Sequence, residues 1–139
     1  MREQITIMVA AIGAYIATVL GGWDTGLQTL VVFMGIDHIS GLIVAGVFKK
    51  SKKSDNGALS SKCSFRGLAK KGMQLMIVLI AHRLDIMLGI DFVRTAVIIA
   101  FISNELISIT ENAGLMGVPI PDKLHKAIDI LNQKGADLT

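Results

Sequence analysis

Ionisable side chains interrupt three long apolar stretches of this sequence, and they are the candidate functional residues. Because charge is costly inside hydrocarbon, such groups usually face a protein interior or a water-filled path and are paired. In the predicted membrane-spanning helices, Asp37, Arg83 and Glu105 lie at similar depths. Each is roughly 12 to 16 Å along its helix from the membrane surface that faces the basic segment. This spacing predicts an ion pair of Arg83 with Asp37 or Glu105. The candidate polar residues are Asp37, His82, Arg83, Asp85, Glu105 and Glu111.

Three interpretations of this predicted polar layer stay open. The groups form a buried network that fixes the register of packed helices, or they line an aqueous lesion once subunits associate, or they relay protons or ions. The chain has no Cys/His cluster spaced for zinc, no glycine-rich phosphate loop and no GxSxG motif. We therefore expect no enzyme, and we assign no catalytic residue, cofactor or metal site.

Apolar runs of membrane-spanning length must position these groups. The sequence is 52% apolar and 18% charged, with a mean hydropathy of +0.59, which is more apolar than usual soluble composition. The first run, 5–22, carries no charge over roughly 27 Å of helix, close to the hydrocarbon thickness. Further runs cover about 25–48, 72–88 and 92–113. The fold class predicted is an all-α membrane protein with three or four transmembrane helices.

The third run decides the number of spans. Its uninterrupted apolar part, 73–81, is shorter than a bilayer requires. Four spans would place both termini and the basic segment on one side, as expected from the enrichment of Lys and Arg in cytoplasmic loops. Three spans would place the carboxyl terminus outside. We favour four spans, with residues 1–118 forming a transmembrane helical domain.

A basic segment, 49–71, separates the second run from the third. Eight of the 14 basic residues of the chain lie there, against the single acidic residue Asp55. Placed between apolar runs, this charge favours anionic lipid head groups over nucleic acid. We interpret the segment as a polar loop. The candidate head-group contacts are Lys49, Lys50, Lys52, Lys53, Lys70 and Lys71.

Two prolines, Pro119 and Pro121, separate the apolar runs from the tail, since proline lacks an amide donor and restricts the preceding residue. A short helix is predicted to restart at Asp122 and to stop at Gly135. Its apolar residues at helical spacing are Leu124, Ile128 and Leu131. We interpret 119–139 as an amphipathic cytoplasmic tail that docks on the membrane surface or on neighbouring spans.

Short segments along nearly the whole chain resemble the toxin-secretion and phage-lysis holin family in their order and spacing. The matching segments are 20–24 (LGGWD), 37–42 (DHISGL), 64–71 (SFRGLAKK), 84–85 (LD), 94–97 (RTAV), 104–105 (NE) with 108–112 (SITEN), and 117–124 (GVPIPDKL). No single segment is a sharp motif. The family supplies no catalytic residues.

The resemblance implies a holin that accumulates as a homo-oligomer in the bacterial cytoplasmic membrane. At a set time it permeabilises that membrane, so that an endolysin or a toxin escapes, without required direct contact between the two proteins. Members are often described with three spans, whereas the charge distribution here favours four. Two other classes stay open: a non-lytic protein such as a holin antagonist or a small ion channel, and a membrane scaffold that recruits a soluble partner.

Overall fold

The computed structural model describes residues 1–138, with side chains for 1–137, and in that part of the chain the regular secondary structure consists of helices alone. The all-α prediction is confirmed for these residues. The helices are α1 (Arg2–Val19), α2 (Thr25–Ile43), which a π-helical turn (Val44–Phe48) continues, α3 (Ser61–Leu88), α4 (Val93–Leu115) and α5 (Asp122–Leu138).

Helix α4 lies at the centre of the fold, where it packs against α2, α3 and α5. Apolar residues at helical spacing, such as Leu27, Leu30 and Met34 on α2, put one face of each helix into a shared core. Val78 of α3 and Ile98 of α4 complete the centre of this core. The contacts place the inner faces of α2, α3 and α4 side by side.

Helix α1 stands apart from this bundle. None of its residues is buried, and its apolar side chains, including Ile7 at 67% exposure, are open on all sides. The chain joins the bundle at Leu20, which is buried in the core. Gly21 and Gly22 follow with positive φ angles, and this conformation, which glycine adopts easily, turns the chain into α2.

Two of the described helices are long and apolar enough to cross a membrane. They are Thr25–Phe48, which joins α2 to the π-helical turn, and α4. With 24 and 23 residues, each extends roughly 35 Å, enough for a hydrocarbon layer about 30 Å thick. The second and fourth predicted runs are therefore confirmed as helices of spanning length. The first and third runs are helical too, in α1 and in the second half of α3.

The predicted polar loop 49–71 is too long, because α3 begins at Ser61. The Ser60 side chain accepts a hydrogen bond from the backbone N–H of Cys63, and such a cap satisfies an amide that the helix leaves without a partner. Residues 61–71 form about three turns of helix. The loop prediction rested on the serine, asparagine and glycine residues at 51–61 and was extended over 62–71, whose Lys and Arg are good helix formers.

The tail helix α5 begins at Asp122 as predicted, but it continues past the predicted stop at Gly135. It folds back antiparallel to α4. A Cβ added at Gly135 would lie 3.7 Å from Cγ2 of Ile99, an ordinary van der Waals distance, so the two helices are in direct contact there. The helix therefore docks on a neighbouring apolar helix, which is one of the two placements expected from its amphipathic sequence.

Candidate functional site

A single ammonium group joins the three inner helices. Nζ of Lys71 on α3 lies 2.6 Å from Oδ2 of Asp37 on α2 and 2.7 Å from Oε2 of Glu105 on α4. The three side chains are only 13%, 7% and 6% exposed. We call these three residues the Lys71 network. Charge-assisted bonds of this length are strong, and each partner offsets the cost of burying the others.

Amide and hydroxyl groups hold the Asp37 end of this network. Asn112 Nδ2 donates to Ser40 Oγ at 2.8 Å and to Asp37 Oδ1 at 3.3 Å. Ser40 Oγ in turn donates to the Asp37 backbone carbonyl at 3.0 Å. Asp37 and Ser40 share a face of α2 because they are three residues apart. The carboxylate of Asp37 is thus fixed from both α3 and α4.

A cavity of about 180 Å³ lies beside the Lys71 network and extends to the polar loop. Its wall includes His38, whose Nε2 lies 3.2 Å from Ser64 Oγ. Gln74 also lines it, and the buried Oε1 of that side chain has no hydrogen-bond partner. Among the described residues, no group of three His, Cys, Asp or Glu side chains is placed to hold a metal ion.

A second cluster surrounds Arg94, which is buried near the start of α4. Its Nε donates to the Leu20 carbonyl at 2.5 Å, and Nη2 donates to the Gly22 carbonyl at 3.0 Å. Nη1 lies 2.6 Å from Oδ2 of Asp24. One guanidinium therefore fastens the turn between α1 and α2 to the bundle, and we call this group the Arg94 cluster.

Asp85 of α3 caps the helix that carries Arg94. Its two carboxylate oxygens accept hydrogen bonds from the backbone N–H groups of Val93 and Arg94, each at 3.0 Å. A carboxylate in this position satisfies free amides and suits the positive end of the helix dipole. His82 approaches the same region, since a Cβ added at Gly21 would lie 2.8 Å from its Nδ1.

Asp24 belongs to the Arg94 cluster and also caps α2, where its Oδ1 accepts from the backbone N–H of Leu27 at 2.9 Å. The hydrogen bond from Arg94 lowers the pKa of the Asp24 carboxyl group below its ordinary value, although partial burial opposes the shift. Asp24 is therefore held in its charged form where α2 begins.

Both clusters lie within the part of the chain that matches a known family. A sequence profile of the bacteriophage holin family matches residues 14–133, from the second half of α1 into α5. The chain belongs to the bacteriophage holin family. Membership, together with the two apolar helices, indicates a membrane protein and a non-enzymatic one. The resemblance found in the sequence is confirmed at this level.

Several relatives match over most of their length. An uncharacterised protein of Listeria innocua is 39% identical over 138 residues, which cover 99% of this chain and 93% of the relative. An uncharacterised 14.9 kDa protein in the nagH 3′ region of Clostridium perfringens is 39% identical over 128 residues, 91% of each chain. A probable holin of Bacillus phage phi105 is 34% identical over 104 residues, 71% of each chain. No solved structure matches the chain.

In this member of the family, the structure joins Asp37 to Glu105, but the cation between them is not the predicted one. Arg83 is exposed, and Lys71, assigned in the sequence to lipid head groups, takes its place. The reason is the early start of α3. Lys71 was predicted to lie in a flexible loop, but it belongs to this helix and faces the inside of the bundle. The other predicted head-group contacts, Lys49, Lys50, Lys52, Lys53 and Lys70, are exposed.

The single predicted polar layer is divided into two. His82 and Asp85 lie at the Arg94 cluster, whereas Glu111 is exposed and its neighbour Asn112 enters the Lys71 network. Glu105 follows Arg94 by 11 positions, which places the clusters roughly 17 Å apart along α4. Asn112 was not among the candidate polar residues, although its position about two turns after Glu105 places the two residues on one face of α4. No sequence pattern indicated that Arg94 binds the turn after α1.

Proposed function

We propose that this protein is a holin that oligomerises in the bacterial cytoplasmic membrane and permeabilises it at a set time. The lesion releases an endolysin, or a toxin, and host cell lysis follows. The observation that carries the proposal is the family match over residues 14–133, supported by the likeness to the probable holin of phage phi105. The endolysin need not touch the holin, because the lesion alone gives it a route outward.

The distribution of apolar surface supports a membrane setting. Large apolar side chains are exposed along α1, on the outer face of α2 and along α3. A soluble monomer rarely exposes contiguous apolar patches of this extent. Lipid, or a second copy of the chain, would cover them. Examples from the three helices are Ile7, Ile12, Tyr15, Val32, Ile36, Ile39, Met76 and Ile80.

Four spans fit this surface, with α1 and the second half of α3 crossing beside the two helices of clear spanning length. Trp23, 56% exposed at the turn before α2, suits the outer interface, where amphipathic rings are favoured. The amino terminus and the loop before Ser61 then face the cytoplasm. Helix α3 has 28 residues, or roughly 42 Å, so its first turns reach the head groups.

The cytoplasmic end of α3 and the preceding loop would contact anionic lipid. Phe65, 73% exposed, offers an apolar anchor there, while exposed lysines meet phosphate groups. Lys71 is excluded from this role by its ion pairs. The proposed contacts are Lys49, Lys50, Lys52, Lys53 and Lys70.

The number of spans can be tested with an impermeant thiol reagent on intact cells. Cys63 reports the basic segment, within which it lies, and a Val118→Cys substitution reports the exposed turn between α4 and α5. Protection of both sites supports four spans. Labelling at residue 118 alone supports three spans and contradicts the four-span arrangement.

Inducible expression tests the function itself. A holin is expected to leave the membrane potential intact at first and then to collapse it abruptly, and co-expressed endolysin should lyse the cells at that moment. A holin antagonist would do neither, and a small ion channel would depolarise the cells without releasing the enzyme. Accumulation in the membrane with an unchanged potential would contradict the proposal.

The Lys71 network is proposed to influence the time of lysis. Asp37→Ala and Glu105→Ala each remove a buried carboxylate that connects α3 to another helix, so both variants should shift or abolish lysis. Glu111→Ala, on the exposed side of α4, is the matched control. Unchanged timing in both network variants, at equal amounts in the membrane, would contradict a role in timing.

A further inference from the structure

Helix α5 retraces the path of α4. Six residues connect the end of α4 to the start of α5. The two helices run antiparallel, and Asn132 of α5 forms a hydrogen bond with Ser103 of α4. Farther along, Gly135 approaches Ile99. A cavity between the two helices is lined from both sides, by Ala100 among others. The second half of α5 is thus level with the first half of α4, well inside its apolar length.

The two faces of α5 differ sharply in chemistry. Ile128 is buried, and Leu131 packs against the core of the bundle. On the side of α5 away from the bundle, five residues that follow one another at intervals of three or four are exposed and polar. This set, which we call the outer face of α5, consists of Asp122, Lys126, Asp129, Gln133 and Asp137.

This outer face is unsuited to lipid. Counted from Asp122, Asp129 lies roughly 10 Å along the helix and Gln133 roughly 16 Å along it. If α4 crosses the bilayer, these polar groups lie at the depth of the acyl chains, where ionisable side chains are strongly disfavoured unless they face water or a partner. The apolar side of α5 is already occupied by α4, so the helix cannot rotate to hide them.

We propose that the outer face of α5 lines the water-filled path of the assembled lesion, with α5 still docked on α4. This inference rests on the proposed function. The outer face of each copy would turn toward water and the outer faces of neighbouring copies, while α1 and the apolar side of α2 turn toward lipid. The face carries three carboxylates, those of Asp122, Asp129 and Asp137, against the single ammonium group of Lys126, so the path would favour cations over anions.

The carboxylates of the Lys71 network are poorer candidates for this lining. Asp37 and Glu105 are almost fully buried and already bonded to Lys71, so exposing them to water would separate α2, α3 and α4. The outer face of α5 needs no such rearrangement, because it is exposed in the single chain. A path lined by α5 preserves every ion pair of the bundle.

A disulfide between α4 and α5 tests whether the helix stays docked. In a Cys63→Ser background, Ile99→Cys with Gly135→Cys places two thiols where the backbones approach closely. The purified variant is reconstituted into vesicles that hold an anionic dye and a cationic dye of similar size. We expect the oxidised protein to release dye within twofold of the reduced protein. Release by the reduced protein alone would overturn the inference, because α5 would then have to leave α4.

Charge reversal in the same locked protein tests the lining directly. Asp129→Lys with Gln133→Lys adds positive charge to the outer face and should raise the ratio of anionic to cationic dye release at least threefold. Asp55→Lys with Asn56→Lys makes the same change in the exposed polar loop and should leave the ratio unchanged. Equal ratios in the two double variants would overturn the inference. If the unsubstituted chain released neither dye, the proposed function would fail, and the inference would fail with it.

Discussion

At the scale of single residues, Lys71 connects three helices through one charged group. Its ammonium group faces two buried carboxylates on different helices, so it sets the positions of α2 and α4 relative to α3. A buried ion network adds little net stability compared with an apolar core, but removal of one member leaves charges without compensation. The main role of the Lys71 network is therefore to determine which faces of α2, α3 and α4 pack together.

Replacing Lys71 with Met should destabilise the bundle strongly. Asp37 and Glu105 would lose their shared cation, and breaking a buried pair in this way typically costs about 3–5 kcal/mol. The free energy of unfolding in detergent micelles measures the loss. Lys70→Met, an identical change at the adjacent exposed position, is the control and should have little effect. Equal losses in the two variants would contradict the role assigned to the ion pairs.

Asp24 should give the fold a specific sensitivity to acid. Its pKa is lowered in the folded chain by the hydrogen bond from Arg94, so the ionised form stabilises the fold above the unfolded-state pKa of about 4. That contribution is lost as pH falls through the lower folded-state value.

Asp24→Asn tests this sensitivity, because asparagine keeps a good helix cap but not the ion pair. Thermal midpoints of both proteins, measured between neutral pH and pH 2, should converge as the pH falls below about 4. A constant difference across that range would show that the charge of Asp24 does not contribute.

At the scale of elements, the sequence predicted the five α-helices, and the boundary errors with a clear physical cause are the start of α3 and the end of α5. The early start of α3 was missed because serine and lysine residues before the third apolar run have the composition of a loop. The cap at Ser60 decides the boundary instead. Gly135 was taken as the end of α5, but the helix continues to Leu138, and its second half packs against α4, where Gly135 contacts Ile99. The first error overlooked a local capping signal, whereas the second arose because tertiary packing outweighs the low helix propensity of glycine.

Ser60→Ala should fray the first turns of α3. Loss of such a cap costs about 1 kcal/mol, which corresponds to roughly fivefold faster hydrogen exchange at the amides of the first turn. Exchange of the Cys63 amide in micelles measures the effect. Ser61→Ala changes the neighbouring residue without removing the cap and should leave exchange unchanged. Unaltered exchange in Ser60→Ala would show that the cap does not determine where α3 begins.

At the scale of the whole molecule, two contrasting parts become visible. The bundle of α2 to α5 satisfies its buried charges internally, whereas α1 exposes apolar side chains over its entire length. Sequence periodicity identified the apolar character of both parts. It could not distinguish them, because an unpartnered helix and a core helix have similar composition when both sit in lipid. Only the three-dimensional contacts show that polar groups lie inside the bundle and that α1 lies outside it.

This contrast predicts that lesions form from intact bundles. Gly26 of α2 approaches Ile98 of α4, since an added Cβ would lie 3.4 Å from Cγ2 of Ile98. In a Cys63→Ser background, Gly26→Cys with Ile98→Cys should therefore allow a disulfide that locks α2 to α4. Because opening the bundle would expose the Lys71 network, the oxidised protein should collapse the membrane potential as the reduced protein does.

The reduced form of the same protein is the control for any effect of the two substitutions. Collapse in the reduced form but not in the oxidised form would mean that α2 and α4 must separate. The buried carboxylates would then be free to reach water, and the polar lining of the lesion would have to include Asp37 and Glu105. Collapse in both forms leaves the outward faces of the bundle as the surfaces through which copies associate.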